Sequence, residues 1–306
     1  ITYITDRTNF DLRAAVNKKL ELNADFELNG NRLSLTYFNE KLSDGFRSTS
    51  NYRILDYKKY DNTSVDAANL TAAPLTSDFQ STDERQYYAY TTTTNGSTLN
   101  KEGVEFQFVS RRFPGINTRF KIDGAWFNST YENTYPFYKV ISTIAVTEGK
   151  TSQYIGYYND TDGKNIQQFN TNLTVDSDLP KLGLTLSSSF QNLWFTSNQM
   201  AFKSGTPVSY LGVDGVERPY TEASKTDPNL NHLNLTHAAS LFRKTTVPID
   251  LQVNFKATKR FKKTAAVSMF VNRLFTYTPN YTNNGVTVTR QEFNSPYFGM
   301  ELNFNL

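Results

Sequence analysis

Residues 249–258 read Ile-Asp-Leu-Gln-Val-Asn-Phe-Lys-Ala-Thr, and this stretch decides the fold class. Every second residue from Ile249 to Ala257 is apolar, and every residue between them is polar. Successive side chains of a β-strand point to opposite faces, so a period of two is typical of a strand with one apolar and one polar face. The sequence therefore predicts an amphipathic strand here.

The same alternation recurs along the chain and extends the prediction to nine strands. Three further segments alternate as clearly, at residues 20–28, 182–190 and 298–306, and the first of them stays in phase from residue 10. Five weaker segments fill the intervals, at residues 33–40, 104–111, 120–127, 169–176 and 265–272. We therefore expect an all-β chain of nine or so antiparallel strands.

The connections between these strands alternate strictly between short and long. The short ones carry turn-forming residues and lie at 29–31, 114–117, 176–181 and 261–264. The long ones span roughly 41–103, 128–168, 192–248 and 274–296. Outer-membrane β-barrels have short periplasmic turns and long extracellular loops, whereas a soluble sandwich need not confine long insertions to one end. The asymmetry favours a transmembrane β-barrel.

Alternation alone does not say whether the apolar face meets lipid or a protein core. The clearest strands are about ten residues long, which suits a tilted crossing of a bilayer. Aromatic residues also lie near strand ends, as in interfacial girdles, at Trp126, Phe127, Trp194, Phe195, Phe275, Tyr277, Tyr297 and Phe298. We therefore predict a lipid-facing set that comprises Phe26, Leu186, Leu251, Val253, Phe255, Met300, Leu302 and Phe304.

The composition excludes several classes of function. The 306 residues carry a formal net charge of +3, which is too small to indicate a nucleic-acid partner. The chain has no cysteine, so it forms no disulfide and no thiolate metal site. It has only two histidines, which argues against acid–base catalysis or metal binding by histidine. No run reaches the roughly 18 to 20 apolar residues of a membrane-spanning helix. A helical membrane protein is excluded.

Catalysis has little support in the sequence. Nucleotide-binding and nucleophile-elbow motifs are absent. The carboxylates Asp25 and Glu27 lie two residues apart on one face of a predicted strand, where we expect them to be solvated charges lining the barrel interior. Residues 159–163 resemble the start of a calcium loop, but Phe169 stands where the bidentate Glu would be. His232 and His237 have no third ligand nearby in sequence. We therefore expect no enzyme activity, no cofactor and no metal site.

The strand count bears on the extent of the domain. The chain begins at Ile1 without a signal peptide, and single-chain bacterial barrels normally have an even number of strands, whereas nine is odd. Residues 1–306 are therefore expected to be the C-terminal portion of one outer-membrane β-barrel domain, with the remaining strands outside this chain.

Several segments resemble TonB-dependent outer-membrane receptors, in particular the branch with a carboxypeptidase-regulatory-like N-terminal domain. The terminal block Ser295-Pro296-Tyr297-Phe298-Gly299-Met300-Glu301-Leu302-Asn303-Phe304 is similar to the closing strand of that family. Weaker likenesses to earlier barrel strands follow at residues 31–38, 103–106, 248–259 and 267–275. The final residue, Leu306, departs from the aromatic residue that many outer-membrane proteins carry there.

The resemblance implies a 22-strand barrel with an internal plug, in the outer membrane of a Gram-negative bacterium. The implied function is energy-coupled import of an extracellular nutrient, such as a glycan, a peptide or a metal chelate. The implied partners are the lipid bilayer, the rest of the barrel and plug, the TonB energy complex acting through the plug, and a surface lipoprotein. A passive porin and a surface-exposed adhesin or binding module without transport remain alternatives.

Tyrosines of the long connections are the candidate ligand-binding residues. Their rings have an apolar body and a polar tip, which suits stacking on sugars or gripping peptide side chains. Packing of the connections against one another remains an equally open interpretation. The candidate set comprises Tyr87, Tyr88, Tyr90, Tyr131, Tyr135, Tyr138, Tyr154, Tyr157 and Tyr158.

Overall fold

The computed structural model describes residues 4–66, 68, 71–141, 153–261, 264–291 and 295–304, and their secondary structure is almost entirely β. Short 3-10 helices are found at Thr76–Asp78, Pro180–Leu182, Ala223–Lys225, Asn231–Leu233 and Ala239–Phe242. None of the helices in these ranges is long and apolar enough to cross a membrane. The strands are β1 (Val16–Leu28), β2 (Asn31–Tyr60), β3 (Ser81–Val109), β4 (Thr118–Asn133), β5 (Phe137–Lys139), β6 (Tyr154–Tyr158), β7 (Asp162–Leu179), β8 (Leu184–Met200), β9 (Ser209–Gly212), β10 (Glu217–Pro219), β11 (Thr245–Val247), β12 (Asp250–Phe261), β13 (Ala265–Tyr277), β14 (Tyr281–Asn283), β15 (Val286–Val288) and β16 (Tyr297–Phe304).

Nine long strands form one antiparallel sheet in the order β1-β2-β3-β4-β7-β8-β12-β13-β16, and β11 adds to β8. The predicted large antiparallel sheet is confirmed, and its strands follow one another as the alternation indicated. The short connections lie at one end. Asn29 and Gly30 close the first hairpin with φ values of 51° and 75°, as a two-residue type I′ turn requires.

The long connections are shorter than predicted, because the strands continue past the amphipathic stretches. Strands β2 and β3 stay paired as far as Tyr60 and Ser81, so the connection predicted at 41–103 is reduced to 61–80. The other long connections are 134–161, 201–249 and 278–296. The prediction that the first strand begins near residue 10 is wrong, because β1 begins at Val16. Asn9 Oδ1 accepts a hydrogen bond from the Asp11 amide, which forms a turn instead.

The register sorts side chains onto two opposite faces. Direct cross-strand partners share a face. One row of partners across eight strands is entirely apolar: Phe26, Leu33, Phe108, Ile122, Leu173, Phe190, Val253 and Phe275. The neighbouring row on the other face is entirely polar: Asp25, Ser34, Gln107, Asp123, Asn172, Gln191, Gln252 and Thr276. We call these the apolar face and the polar face.

The apolar face has no second layer packed on it within the described residues. Phe26 and Leu302 are each 55% exposed, and Met300 is 63% exposed. The buried apolar residues lie elsewhere. Phe38 is on the polar face over Gly103, and the others belong to the long connections: Ile141, Ile155, Tyr158, Leu211, Leu230 and Leu233.

Two of the long connections fold into a cap, which we define as residues 134–141, 153–161 and 201–244. Its framework is a four-stranded sheet in the order β10-β9-β6-β5. Ile141, Leu230 and Leu233 pack together in its core. The cap therefore has the dry interior that the nine-stranded sheet lacks.

Candidate functional site

The height of the apolar face matches a bilayer. On β7 it runs from Phe169 to Leu179, which is about 33 Å at roughly 3.3 Å per residue. A strand tilted by roughly 35–45° then spans about 25 Å, the height of the apolar band of outer-membrane barrels. All eight residues predicted to face lipid lie on this face, since the register aligns them with its apolar rows.

Aromatic rings mark the cap-side border of the apolar face. Phe169 pairs with Trp126 across the sheet, and its ring stacks on Trp194 at 6.2 Å between centroids. Beyond this row the side chains of the same face become polar, at Gln167 and Asn165 on β7. Asn165 Nδ2 donates to Asn128 Oδ1 (2.7 Å) and Thr130 Oγ1 (2.8 Å). An aromatic row followed by amides is the arrangement found at a membrane–water interface.

Two members of the predicted girdle lie on the polar face instead. Phe127 pairs with Gly103 and Tyr297 pairs with Asn272. The reason is the period of two, which sends consecutive residues to opposite faces. Trp194 and Phe195 escape this rule because the register between β7 and β8 shifts beside them.

The polar face is a wall of small hydroxyl and amide groups. Between β2, β3, β4 and β7 it forms a shallow depression of about 330 Å³, bounded by Ser34, Thr36, Glu105, Gln107, Asp123 and Asn170. Neighbouring side chains bond one another across the strands, as where Ser187 Oγ donates to Asp176 Oδ1 at 2.6 Å. Asp25 and Glu27 belong to this face, where Asp25 lies 3.6 Å from the Arg32 guanidinium. Such a surface suits contact with water or with a polar protein body.

Several candidate tyrosines hold the cap together. Tyr158 is 1% exposed, and its hydroxyl donates to the Leu233 carbonyl oxygen at 2.6 Å. Burial raises the pKa of the Tyr158 phenol. A ligand outside the cap therefore has no access to this ring, and its role is in packing.

Tyr87 joins the cap to the extension of β2 and β3. Its hydroxyl lies 2.7 Å from the Gln153 carbonyl oxygen and 2.9 Å from that of Leu211. Tyr52, which the sequence did not single out, packs edge-on against both Tyr87 and Tyr138. Burial raises the pKa of the Tyr87 phenol. The cap is thereby fixed to the long hairpin below it.

Tyr138 and Tyr157 form a second part of this aromatic cluster, with ring centroids 4.6 Å apart. The Tyr138 hydroxyl donates to Glu217 Oε2 at 3.0 Å. Burial, followed by the hydrogen bond to Glu217, raises the pKa of Tyr138 to about 12. Tyr154 packs edge-on against Tyr210 within the cap.

The remaining candidates have different surroundings, although Tyr90 lies near Tyr138 and Tyr135 lies near Tyr157. Tyr88 and Tyr90 stack on one another beside the Arg53 guanidinium. Tyr131 lies on the polar face of β4, opposite Leu99. Tyr135 is 40% exposed. The structure therefore does not bring the nine tyrosines into one site.

A cleft in the cap was missed by the sequence prediction. It has a volume of about 410 Å³, and the rings of Phe202, His237 and Phe242 line it. Phe202 is 73% exposed, and its ring centroid lies 5.1 Å from that of Phe242. These residues are about forty positions apart without a shared periodicity, so only the folded cap brings them together.

The carboxylates of residues 159–163 serve as anchors. Asp160 accepts hydrogen bonds from the Ser204 amide (2.8 Å) and the Gly205 amide (3.0 Å). Asp162 bonds Lys203 Nζ at 2.6 Å. Lys203, and then Arg47, lower the pKa of the Asp162 carboxyl. These contacts hold the wall of the cleft.

The structure also bears on metal binding. In the part of the chain that the structure describes, no three His, Asp or Glu side chains are grouped so that they could hold a metal ion. His232 is half-buried, and burial lowers its pKa. His237 lies in the cleft, against the Phe242 ring.

Comparisons with known proteins give no relative: no family model, curated protein or solved structure matches this chain.

Proposed function

We propose that this chain is the C-terminal portion of an outer-membrane β-barrel transporter of the TonB-dependent type. The observation that carries the proposal is the pair of adjacent rows, one of eight apolar and one of eight polar residues, on a sheet whose apolar face is uncovered within the described residues. Exposing such a band to water is costly, whereas hydrocarbon solvates it.

The open edges of the sheet support the idea that further strands complete a barrel. Backbone groups at a strand edge need partners inside a bilayer, so a spanning sheet has to close. Strands β1 and β16 are the first and ninth in an antiparallel order and therefore run in the same direction. An antiparallel closure between them requires an odd number of additional strands.

Transport is the function that this arrangement supports best. The polar face lines the interior and surrounds a plug, and the cap with its cleft faces the cell exterior and captures a nutrient. The TonB energy complex pulls on the plug and releases the ligand inward, which requires that the ligand bind the closed and opened states differently. A surface lipoprotein is a further partner. A passive porin and a non-transport surface protein are the competing functions.

The two tryptophans provide a direct test of membrane placement. These 306 residues contain two tryptophans, Trp126 and Trp194, and both belong to the cap-side border of the apolar face. In bilayers containing brominated lipids, we expect strong quenching of their fluorescence, and more by bromine near the headgroups than by bromine at the chain ends. Unquenched emission would show that the apolar face does not meet lipid.

Energy coupling needs its own experiment. Uptake of the nutrient by cells should stop when the inner-membrane energy complex is deleted, while the protein remains in the outer membrane with heat-modifiable gel migration. Unchanged uptake would indicate a passive porin. Intact surface binding with no uptake in either strain would indicate a binding module.

A further inference from the structure

Two of the short connections at one end of the sheet are basic. The connections 110–117 and 180–183 contain Arg111, Arg112 and Lys181 and no acidic residue. Lys259 and Arg260 at the end of β12 lie beside the second connection, since the Arg260 amide donates to the Gly183 carbonyl oxygen at 2.8 Å. We call these five residues the basic rim.

The charges of the basic rim are largely uncompensated. Among the described residues, only Arg112 of this set has an ion-pair partner, Asp178 at 3.0 Å. The Lys259 ammonium donates to the Leu182 carbonyl oxygen, which leaves its charge unneutralised. All five side chains belong to exposed residues. The rim therefore presents a positive field toward its surroundings.

Exposed apolar side chains lie in or next to the same connections as these cations. Ile116 is 62% exposed, Leu182 is 58% exposed and Phe261 is 49% exposed. The Arg111 guanidinium lies 5.7 Å from the Phe113 ring centroid, and the Lys259 ammonium lies 5.9 Å from that of Phe261. An apolar stem and ring beneath a cationic head is the arrangement of a side chain that reaches from hydrocarbon to a polar headgroup layer.

Lys259 lies on the apolar face of the sheet, whereas its neighbour Arg260 lies on the polar face, opposite Ala266. The cross-strand partners of Lys259 are Leu184 and Val267, which belong to the apolar face. Lys259 lies at the border of the apolar face nearest the short connections and has no carboxylate partner among the described residues. Its counter-ion would then be an anionic group of the surrounding lipid. Basic residues at this depth attract anionic lipid headgroups.

We propose that the basic rim binds the phosphate headgroups of anionic phospholipids in the membrane leaflet at the short-turn end. Lys181 and Lys259 contact the phosphate of one lipid, with Phe261 against its upper acyl chain. Arg111 contacts the phosphate of a second lipid further along the rim, with Ile116 against its acyl chain. The inference rests on the proposed function, because it requires the apolar face to lie in lipid. Free phosphate lacks the acyl chain and so makes only half of these contacts.

The test is a lipid-retention measurement on the full-length protein purified in detergent from outer membranes. The protein is incubated with equal amounts of phosphatidylglycerol and phosphatidylcholine, and bound lipids are counted by native mass spectrometry. We expect a several-fold preference for phosphatidylglycerol that inorganic phosphate at the same concentration does not abolish. Displacement by inorganic phosphate would overturn the lipid assignment.

Variants locate the preference on the rim. The triple variant Arg111→Gln, Lys181→Gln and Lys259→Gln should lose it. The charge-conserving variant Lys181→Arg and Lys259→Arg should keep it. A matched control at the cap end, Lys139→Gln, Arg243→Gln and Lys244→Gln, should also keep it.

Two results would overturn the proposal: equal retention of both lipids by the unmodified protein, or equal loss of preference in the cap-end control. Heat-modifiable migration is recorded for every variant, which separates a lost site from a lost fold. Failure of the proposed function is a distinct outcome, in which the protein leaves the membrane in buffer without detergent and binds neither lipid.

Discussion

Tyr158 is the residue whose environment most clearly distinguishes packing from ligand binding. Replacing it with Phe removes the hydrogen bond to the buried Leu233 carbonyl oxygen and leaves that oxygen unsatisfied. We expect the cap to lose about 1–3 kcal/mol of stability. Hydrogen exchange of the cap amides should report this loss, while the amides of β7 and β8 stay unchanged.

The control for this substitution is Tyr135→Phe, since Tyr135 is 40% exposed and lies outside the buried core. It should leave cap exchange unaltered. Equal effects of the two variants would contradict a structural role for the Tyr158 hydroxyl.

The buried phenols also predict the response of the cap to alkaline pH. An unperturbed tyrosine has a pKa near 10. The pKa of Tyr138 is raised to about 12 by burial and then by Glu217, and burial raises those of Tyr87 and Tyr158. The unfolded cap therefore releases protons at a lower pH than the folded cap, so stability falls as pH rises above about 10.

Phenolate absorbance measures this directly. The cap tyrosines should ionise above the pH of about 10 at which free tyrosine ionises, and they should do so together with loss of cap structure. The stability of the cap should be flat between pH 7 and 9. Titration of every tyrosine near pH 10, with the cap intact, would contradict the packing described here.

At the scale of the strand, substitutions at two neighbouring residues of β7 test whether the apolar face contacts lipid and the polar face contacts water. Leu173 pairs with Ile122 and Phe190 on the apolar face, and Asn172 donates to Asp123 Oδ2 on the polar face. We expect Leu173→Arg to cost about 2–4 kcal/mol, as a cation does near a bilayer midplane. Asn172→Arg should be nearly neutral, because Arg can pair with Asp123.

Folding yield into bilayers across a urea series gives both values under the same conditions. Equal losses for the two variants, or a larger loss for Asn172→Arg, would mean that the apolar face does not meet hydrocarbon.

At the scale of the whole molecule, the question is whether the nine strands close on themselves. These 306 residues contain no cysteine, so a pair of cysteines engineered into them gives the only spin-label sites in this part of the protein. Labels at Leu22 and Tyr37, which are direct partners, should broaden the spectrum strongly at about 5 Å. Labels at Leu22 and Met300, on the two edge strands, should show no broadening. Strong broadening in the second pair would indicate a self-closed nine-stranded barrel.

The alternation of single segments was enough to predict the β class, the succession of strands and the membership of the apolar face. Leu251, Val253 and Phe255 alternate within one short stretch, and the period of two is a property of the local backbone. No partner strand is needed to recognise it, which is why this part of the fold could be predicted.

The cap and the lengths of β2 and β3 could be decided only by tertiary structure. The Tyr158 hydroxyl meets a carbonyl oxygen 75 residues away, and Phe202 meets Phe242 across an irregular connection. Such contacts depend on chain segments that have no common period, so local pattern does not encode them. The sequence by itself determined which side of each strand is apolar, whereas long-range pairing determined that these sides align into one continuous face and that the tyrosines pack a cap.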